Sequence, residues 1–393
     1  MQHMMDQLTD LHKEMVDIRR RFHMNPELSF QEEKTPAFIA EYLEKLPGVE
    51  VRRNVGGRGV MAVIKGRKPG RTVALRADFD ALELQDEKDV PYKSQVPGVM
   101  HACAHDCHAA SLLGVANVLS KNADSFDGEV RLFFQHAEES APGGAIAMIG
   151  DGCLDGVNAI FGTHITSQMP VGKYGYRSGE MMAIADKFII DLQGKGGHGA
   201  APHHTVDTIL LAANVIVSLQ QIVSRRVNPM AQAVLSIGRV EAGAAFNVIA
   251  DSAKILGTVR TFDKALQEAM IGHIEQIIKG CCDAAGATYS FSYEKGYPAV
   301  VNHPAETDMA VESLTKLVGS EHLLELDPLM GGEDFSYYLE RVPGTFLYTG
   351  GGNTEKGIVY PHHHPKFDID EDAILYASRG LLTIALDYLG NSN

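Results

Sequence analysis

Cations, cysteines and long apolar runs are all scarce in this chain. Thirty-five Lys plus Arg face fifty Asp plus Glu across 393 residues, a net charge of −15. Such a surface repels phosphate backbones, so nucleic acid is not an expected partner. Five cysteines cannot all pair, and two of them fall inside a histidine cluster. That pattern argues against a disulfide framework and predicts a reducing, cytoplasmic setting. Apolar runs such as Ile209–Val217 are far shorter than the roughly 20 residues a membrane span needs. The opening MQHMMDQLTD has neither a basic nor an apolar leader, so no secretory signal and no membrane association are expected. Low-complexity linkers and short-period repeats are absent as well. What remains is ordinary globular composition, 45% apolar and 22% charged, in a chain whose length suggests two domains.

The first helix is written as one apolar stripe, Leu8, Leu11, Met15, Ile18 and Phe22, stopped by Asn25-Pro26. A second helical pattern runs from about Glu32 to Leu46. Short apolar runs then read as buried strands at 59–64, 72–77, 129–134 and 159–163, with helical stretches at 108–119 and 145–149 between them. This alternation predicts an α/β layer with a mostly parallel sheet flanked by helices. From 184 to 297 the rhythm changes to strand, helix, strand, strand, helix, strand, with helical stripes Val206/Leu210/Ala213/Val217 and Leu266/Met270/Ile274/Ile277. That order is the ferredoxin-like split βαβ arrangement. The expectation is a discontinuous catalytic domain, 1–183 and 298–393, interrupted by an inserted α+β domain, 184–297.

The chemistry concentrates in HACAHDCH, residues 101–108, where six of eight residues are His, Cys or Asp. Single core histidines are usually structural. Six such groups before an apolar helix would carry a heavy desolvation cost without a metal or other partners. Asp78 and Asp80 follow the run TVALRA, Glu138 and Glu139 follow VRLFF after three intervening residues, and His164 follows AIFGT. Ligands of parallel sheets gather beyond the carboxyl ends of strands, so these groups are expected to face one crevice. Adjacent Glu138 and Glu139 repel unless cations or a proton intervene, which suggests one ligand and one proton carrier. PHHHP, 361–365, lies inside the chain and is not a terminal tag.

Together RADFDAL, MHACAHDCH, QHAEE, GTHI, GKGGHGAAPH, GGEDFSYY and HHHPKFDIDE resemble, in order, the M20 metallopeptidase superfamily. They are most similar to its aminoacylase and hippurate-hydrolase branch, which includes auxin-conjugate hydrolases. The resemblance starts at PELSFQE (26–32) and spans nearly the whole chain. It implies Cys103, His105, Glu139, His164 and His363 as metal ligands and Glu138 as the base. Asp80 matches the carboxylate that orients a ligand, while Asp78 stands where the wider superfamily has His, so the role is open between the two. His198 matches the residue reaching the reacting carbonyl, and Asn247 and Arg260 match lid residues holding the substrate carboxylate. His101, His108 and His136 are expected nearby as supporting partners, and the remaining cysteines as bystanders. One departure is Ala104, where the family has Gly. The implied cofactor is a divalent metal, two ions per subunit, Zn²⁺ or Mn²⁺ with Co²⁺ or Ni²⁺ as options. The implied enzyme is an amidohydrolase cleaving small-molecule N-acyl-L-amino acids, of N-acetyl or aromatic acyl type, and assembling as a homodimer or higher homo-oligomer. Rival readings are a metallo-dipeptidase or carboxypeptidase of the same superfamily, and a catalytically silent metal-binding relative.

Overall fold

The computed structural model describes residues 1–390. Two compact units emerge, one built from Met1–Met181, Val300–Asp327 and the chain from Asp334 onward, the other from Met182–Ala299 and Pro328–Glu333.

The first unit is organised by an eight-stranded sheet. Its order is Val49–Val55, Gly59–Lys65, Glu129–Gln135, Thr72–Asp78, Ala159–Pro170, Gly344–Gly352, Tyr174–Tyr176 and Leu323–Glu325. The four central strands, from Glu129–Gln135 to Gly344–Gly352, run parallel, and the strands adjoining them, Gly59–Lys65 and Tyr174–Tyr176, run antiparallel to them. Central strands read as near-continuous apolar runs because both faces are covered. Gly344–Gly352 accordingly has no exposed residue.

Helices Gln2–Met24, His105–Lys121 and Asp372–Gly390 share one core, to which they contribute Leu8, Met15, Phe22, Leu112, Leu119, Ala377 and Leu381. Helix His105–Lys121 is buried at every position through Ser120, which is why it lacks a polar face. Gly114 permits this packing, since a Cβ there would lie 2.1 Å from Met15 Sδ.

The second unit is a four-stranded antiparallel sheet in the order Ala233–Ala242, Ser252–Thr261, Ile184–Gln193, Thr288–Tyr297. Helices Thr208–Leu219 and Lys264–Ala285 complete a ferredoxin-like βαββαβ fold. Strand Ile184–Gln193 alternates buried and more open residues, placing Phe188, Ile190 and Leu192 in a core with Leu211, Val215, Met270 and Ile274. Asp207 and Asp263 cap the two helices by accepting backbone N–H bonds at Ile209/Leu210 and Ala265/Leu266.

Thr208–Arg226 extends past the apolar run seen in sequence and is long and apolar enough to cross a membrane by length and composition alone, with a mean hydropathy of 1.3. One face enters the core just described, and Ile209, Leu210 and Val217 remain exposed on the other.

Candidate metal centre

Sheet register explains how distant segments meet in the first unit. Asp78 ends its strand level with Gln135, and the pairing of Arg76 with Gly162 brings His164 to the same level. His164 does not lie beyond a strand end, as expected from sequence. Its strand continues to Pro170 because it pairs with Gly344–Gly352, His164 opposite Tyr348. The crevice is therefore set by where the neighbouring strands stop.

The helix beginning at His105 supplies two groups at its N-terminal end. Ala104, its cap, is fully buried in the left-handed region at φ 66°. This backbone conformation suits glycine better than residues carrying a Cβ, which accounts for Gly in the family pattern. Even so, Cys103 Sγ, an imidazole nitrogen of His105 and one of His164 all lie within 4.8 Å of one another. Cys103 Sγ is 3.3 Å from His164 Nε2. Cys103 also forms a second such group with Glu139 and His363, and His105 forms one with Glu138 and Glu139. All five expected ligands and Glu138 thus converge.

Hydrogen bonds fix which nitrogens point inward. His105 Nδ1 faces the Asp80 carbonyl at 3.0 Å and Asp80 Oδ1 at 3.1 Å. His164 Nδ1 faces the Ile165 carbonyl at 3.0 Å. Each ring therefore donates from Nδ1 and turns Nε2 to the cluster, the arrangement that metal-binding histidines use. His105 Nε2 and Glu139 Oε1 are buried without a hydrogen bond. His363 Nε2 lies 3.4 Å from that same Glu139 oxygen. Its neighbour His362 instead packs on His164 and places Nε2 3.2 Å from the Ile165 carbonyl.

Charge points the same way. Burial, followed by Glu139, Glu138 and Asp78, pushes the Cys103 thiol far above its usual range. Burial would lower the His105 pKa, but Asp78, Asp80 and Glu139 outweigh it and push it up to about 10. For His164, burial and the neighbouring His108 and His362 drive the pKa well down. A buried thiol crowded by carboxylates, with orphaned acceptor atoms facing inward, is the donor set of a divalent cation, which would deprotonate the thiol and neutralise the carboxylates. The residues present fit such an ion.

The two aspartates divide cleanly. Asp80 Oδ2 accepts from Ser29 Oγ at 2.7 Å and from the Glu139 N–H at 3.0 Å, leaving Oδ1 for His105. Asp78 is bonded to Arg76 Nη1 at 2.7 Å and His108 Nδ1 at 2.6 Å. His108 Nε2 accepts the Ile165 N–H, so this ring is a neutral linker and not a ligand. Arg76 continues to Asp334 at 2.8 Å, and Gln135 bonds the same carboxylate. Sequence reading did not single out Arg76 or Asp334; both stand inside the quoted motifs, Arg76 two residues before Asp78. His101 and His136 are buried, and burial lowers them to about 3 and about 4.

The remaining candidates lie in the second unit. His198 pairs in register with Val248, and its Nδ1 accepts the Ala200 N–H at 3.0 Å. Asn247 is exposed and its carbonyl accepts from Gly199. Arg260, half-buried on the sheet, donates to the Asp186 carbonyl at 3.3 Å and to the Thr258 hydroxyl. All five cysteines are free.

Residues 74–387 match Peptidase family M20/M25/M40. The chain belongs to this family. It is 55% identical to YhaA of Bacillus subtilis (strain 168), over 97% of this chain and 96% of that one. Thermostable carboxypeptidase 2 of Saccharolobus solfataricus is 41% identical, with 95% of each chain covered. An N-acyl-L-amino acid amidohydrolase of Geobacillus stearothermophilus is 47% identical over 74% of this chain and 78% of its own. Among solved structures, a dinuclear metal-binding M20 peptidase of Bacillus subtilis superposes with a TM-score of 0.83 at 36% identity, covering 98% of this chain and all of that one. The protein is accordingly a metal-dependent amidohydrolase.

Proposed function

We propose that the substrate is an N-acyl-L-amino acid, of N-acetyl or aromatic acyl type, cleaved to a carboxylate and a free amino acid. The observation carrying this reading is a five-ligand cluster, Cys103, His105, Glu139, His164 and the exposed His363, with one further carboxylate, Glu138, beside it. The name of the Geobacillus relative supports the acyl-amino acid class.

Two divalent ions, Zn²⁺ or Mn²⁺ in this reading with Co²⁺ or Ni²⁺ as alternatives, would supply Lewis acidity, polarising a carbonyl and bringing a water pKa to about 7. Cys103 would be shared between the two groups of ligands, since it belongs to both. Glu138 takes a proton from the attacking water and returns it to the leaving amine, a service worth about 10²–10⁴-fold. Asp80 holds the His105 tautomer. His198 donates to the developing oxyanion, and Asn247 and Arg260 hold the substrate carboxylate, for which a planar guanidinium is suited. The strand and helix order read in the sequence supports limits of 184–297 for the inserted part.

The exposed Ile209, Leu210 and Val217 support a homodimer through the second unit, in a cytoplasmic enzyme, as the occupant of that apolar face. The carboxypeptidase name of the 41% relative favours one rival, action on unblocked peptides.

The deciding experiment compares N-acetyl and N-benzoyl amino acids with unblocked dipeptides on metal-reconstituted protein, beside Glu138→Gln. Turnover of the blocked compounds, lost by about 10²–10⁴-fold in Glu138→Gln with metal retained, supports the reading. Preference for unblocked dipeptides transfers the protein to the carboxypeptidase reading. Absence of turnover on every compound supports a silent metal binder.

A further inference from the structure

The segment 26–32 contributes no ligand, no base and no substrate group to the reading above, yet it touches both loops that shape the cluster. Its backbone is tied to the first loop by a bridge between Leu28 and Ala81 and by the Ala81 N–H, which donates to the Glu27 carbonyl at 2.9 Å. From there Ser29 Oγ reaches Asp80 Oδ2 at 2.7 Å. Three residues on, Glu32 Oε1 accepts the Ala137 N–H of the second loop at 2.8 Å. Ala137 is the residue immediately before Glu138, and it stands in the left-handed region at φ 52°.

Three features indicate that this contact does more than pack. Glu32 is 1% exposed, and its second oxygen, Oε2, is buried without a hydrogen bond, a costly way to secure one backbone N–H. Phe30, between the two contacting side chains, is itself held at φ 63°, a conformation that bulky residues rarely adopt. Its ring meets His136 edge-on, at a centroid distance of 6.0 Å. The segment is also anchored at its base, since the Glu27 carboxylate accepts the N–H groups of Lys34 and Thr35 at the start of helix Lys34–Leu43. Backbone strain maintained against two catalytic loops marks a device that fixes geometry.

We infer that Glu32 and Ser29 are positioning residues for the hydrolysis, a strap that sets Glu138 through Ala137 and turns Asp80 toward His105. The inference rests on the proposed roles of Glu138 and Asp80. Strained Ala137 has an alternative of lower energy, with φ negative, which would swing the following side chain; the Glu32 bond opposes it. A displacement of about 1 Å at a catalytic group can cost about 10²-fold, and loss of a partner behind a ligand typically costs about 10–100-fold.

The test uses full-length, metal-loaded Glu32→Ala, Glu32→Gln and Ser29→Ala on the best N-acyl amino acid of the screen, with metal content and melting temperature measured in parallel. Glu32→Ala is expected to lower kcat by about 10–100-fold with KM within about twofold and metal content unchanged. Glu32→Gln, whose amide oxygen still accepts the Ala137 N–H, should recover most of that loss. Ser29→Ala, which removes a single hydroxyl and serves if the Glu32 variants do not fold, should lower kcat about tenfold. Wild-type kcat in Ser29→Ala together with Glu32→Ala, or a Glu32→Gln enzyme as impaired as Glu32→Ala, would overturn the strap. Glu138→Gln run alongside keeps the two ideas apart: if that variant stays active the base assignment falls, whereas the Gln-to-Ala ratio at position 32 reads the strap alone.

Discussion

Replacing Asp80 with Asn, beside Asp78 with Asn, separates the two aspartates that sequence left interchangeable. Asp80 offers three acceptor contacts: Oδ1 toward His105 Nδ1, and Oδ2 toward the Ser29 hydroxyl and the Glu139 N–H. An amide presents one oxygen and one NH₂. Whichever way it turns, a donor faces either the His105 N–H or the Glu139 N–H. A buried donor left unmet costs about 1–3 kcal/mol, or roughly 5- to 150-fold at about 1.4 kcal/mol per decade. The Asp80 carbonyl also accepts from His105 at 3.0 Å and retains part of the ring's orientation, so the lower half of that range is expected. Asp78→Asn should behave differently. It removes a charge partner from Arg76, which is 2% exposed, and breaking a buried pair costs about 3–5 kcal/mol of folding stability. Metal affinity by competition titration, kcat/KM, and chemical denaturation of the metal-free proteins provide the readout. Asp80→Asn should lose affinity or activity about 5- to 30-fold with the smaller loss of stability, and Asp78→Asn should show the larger destabilisation. If Asp80→Asn binds metal and turns over like the wild type, the orienting role assigned to Asp80 is refuted.

Metal uptake at pH 7 should release protons, because burial and the surrounding carboxylates keep the Cys103 thiol protonated and His105 is held up to about 10. Calorimetry in buffers of different ionisation enthalpy should show about one proton fewer in Cys103→Ala, and metal binding without proton release would contradict the ligand set. Asp106 is held well below the usual carboxylate range: burial raises it, but Arg19 and His23 outweigh that. Its folded pKa is depressed, so its stabilisation is present above the unfolded value of about 3.9 and is lost as pH falls through the folded value. Melting temperature should therefore drop steeply only below about pH 4, and Arg19→Met should cost about 3–5 kcal/mol at pH 7; a variant as stable as the wild type would discount that network. Val217→Asp, on the apolar outer face of helix Thr208–Leu219, should convert the assembly to a 42.7 kDa monomer by light scattering. A wild-type protein already monomeric would remove the dimer reading.

The fold class was legible because its central strands are buried on both faces and so are written as near-continuous apolar runs. Elements at the margins carried weaker signals. Val49–Val55 lies on the sheet edge with Arg52, Arg53 and Asn54 exposed, so nothing in its composition demands a strand. Helix Pro304–Val318 buries only four of its fifteen residues, too narrow a stripe to stand out. The second predicted helix is shorter than its apolar pattern, starting at Lys34 because Glu32 and Glu33 are taken up by the turn that precedes it.

Within the site, ligand types were readable and supporting geometry was not. A thiol, three imidazoles and paired carboxylates announce themselves by their cost. Asp334, by contrast, looks like any loop aspartate in sequence. Only the fold reveals that it is fully buried, that burial lifts its pKa to about 6, and that Arg76, Gln135 and the Ala145 N–H pull against that rise. The same distinction governs Ala104. A methyl group in place of glycine burdens the turn between Cys103 and His105, which carries two of the expected ligands. In the structure that turn keeps the left-handed conformation, with Cys103 still common to both ligand groups. The cost is therefore paid in backbone energy, about 1–2 kcal/mol for a non-glycine residue in this region, and not in the placement of ligands. A site can absorb that much when helix His105–Lys121 is buried along its length, because the surrounding core leaves the strained turn no other conformation to adopt.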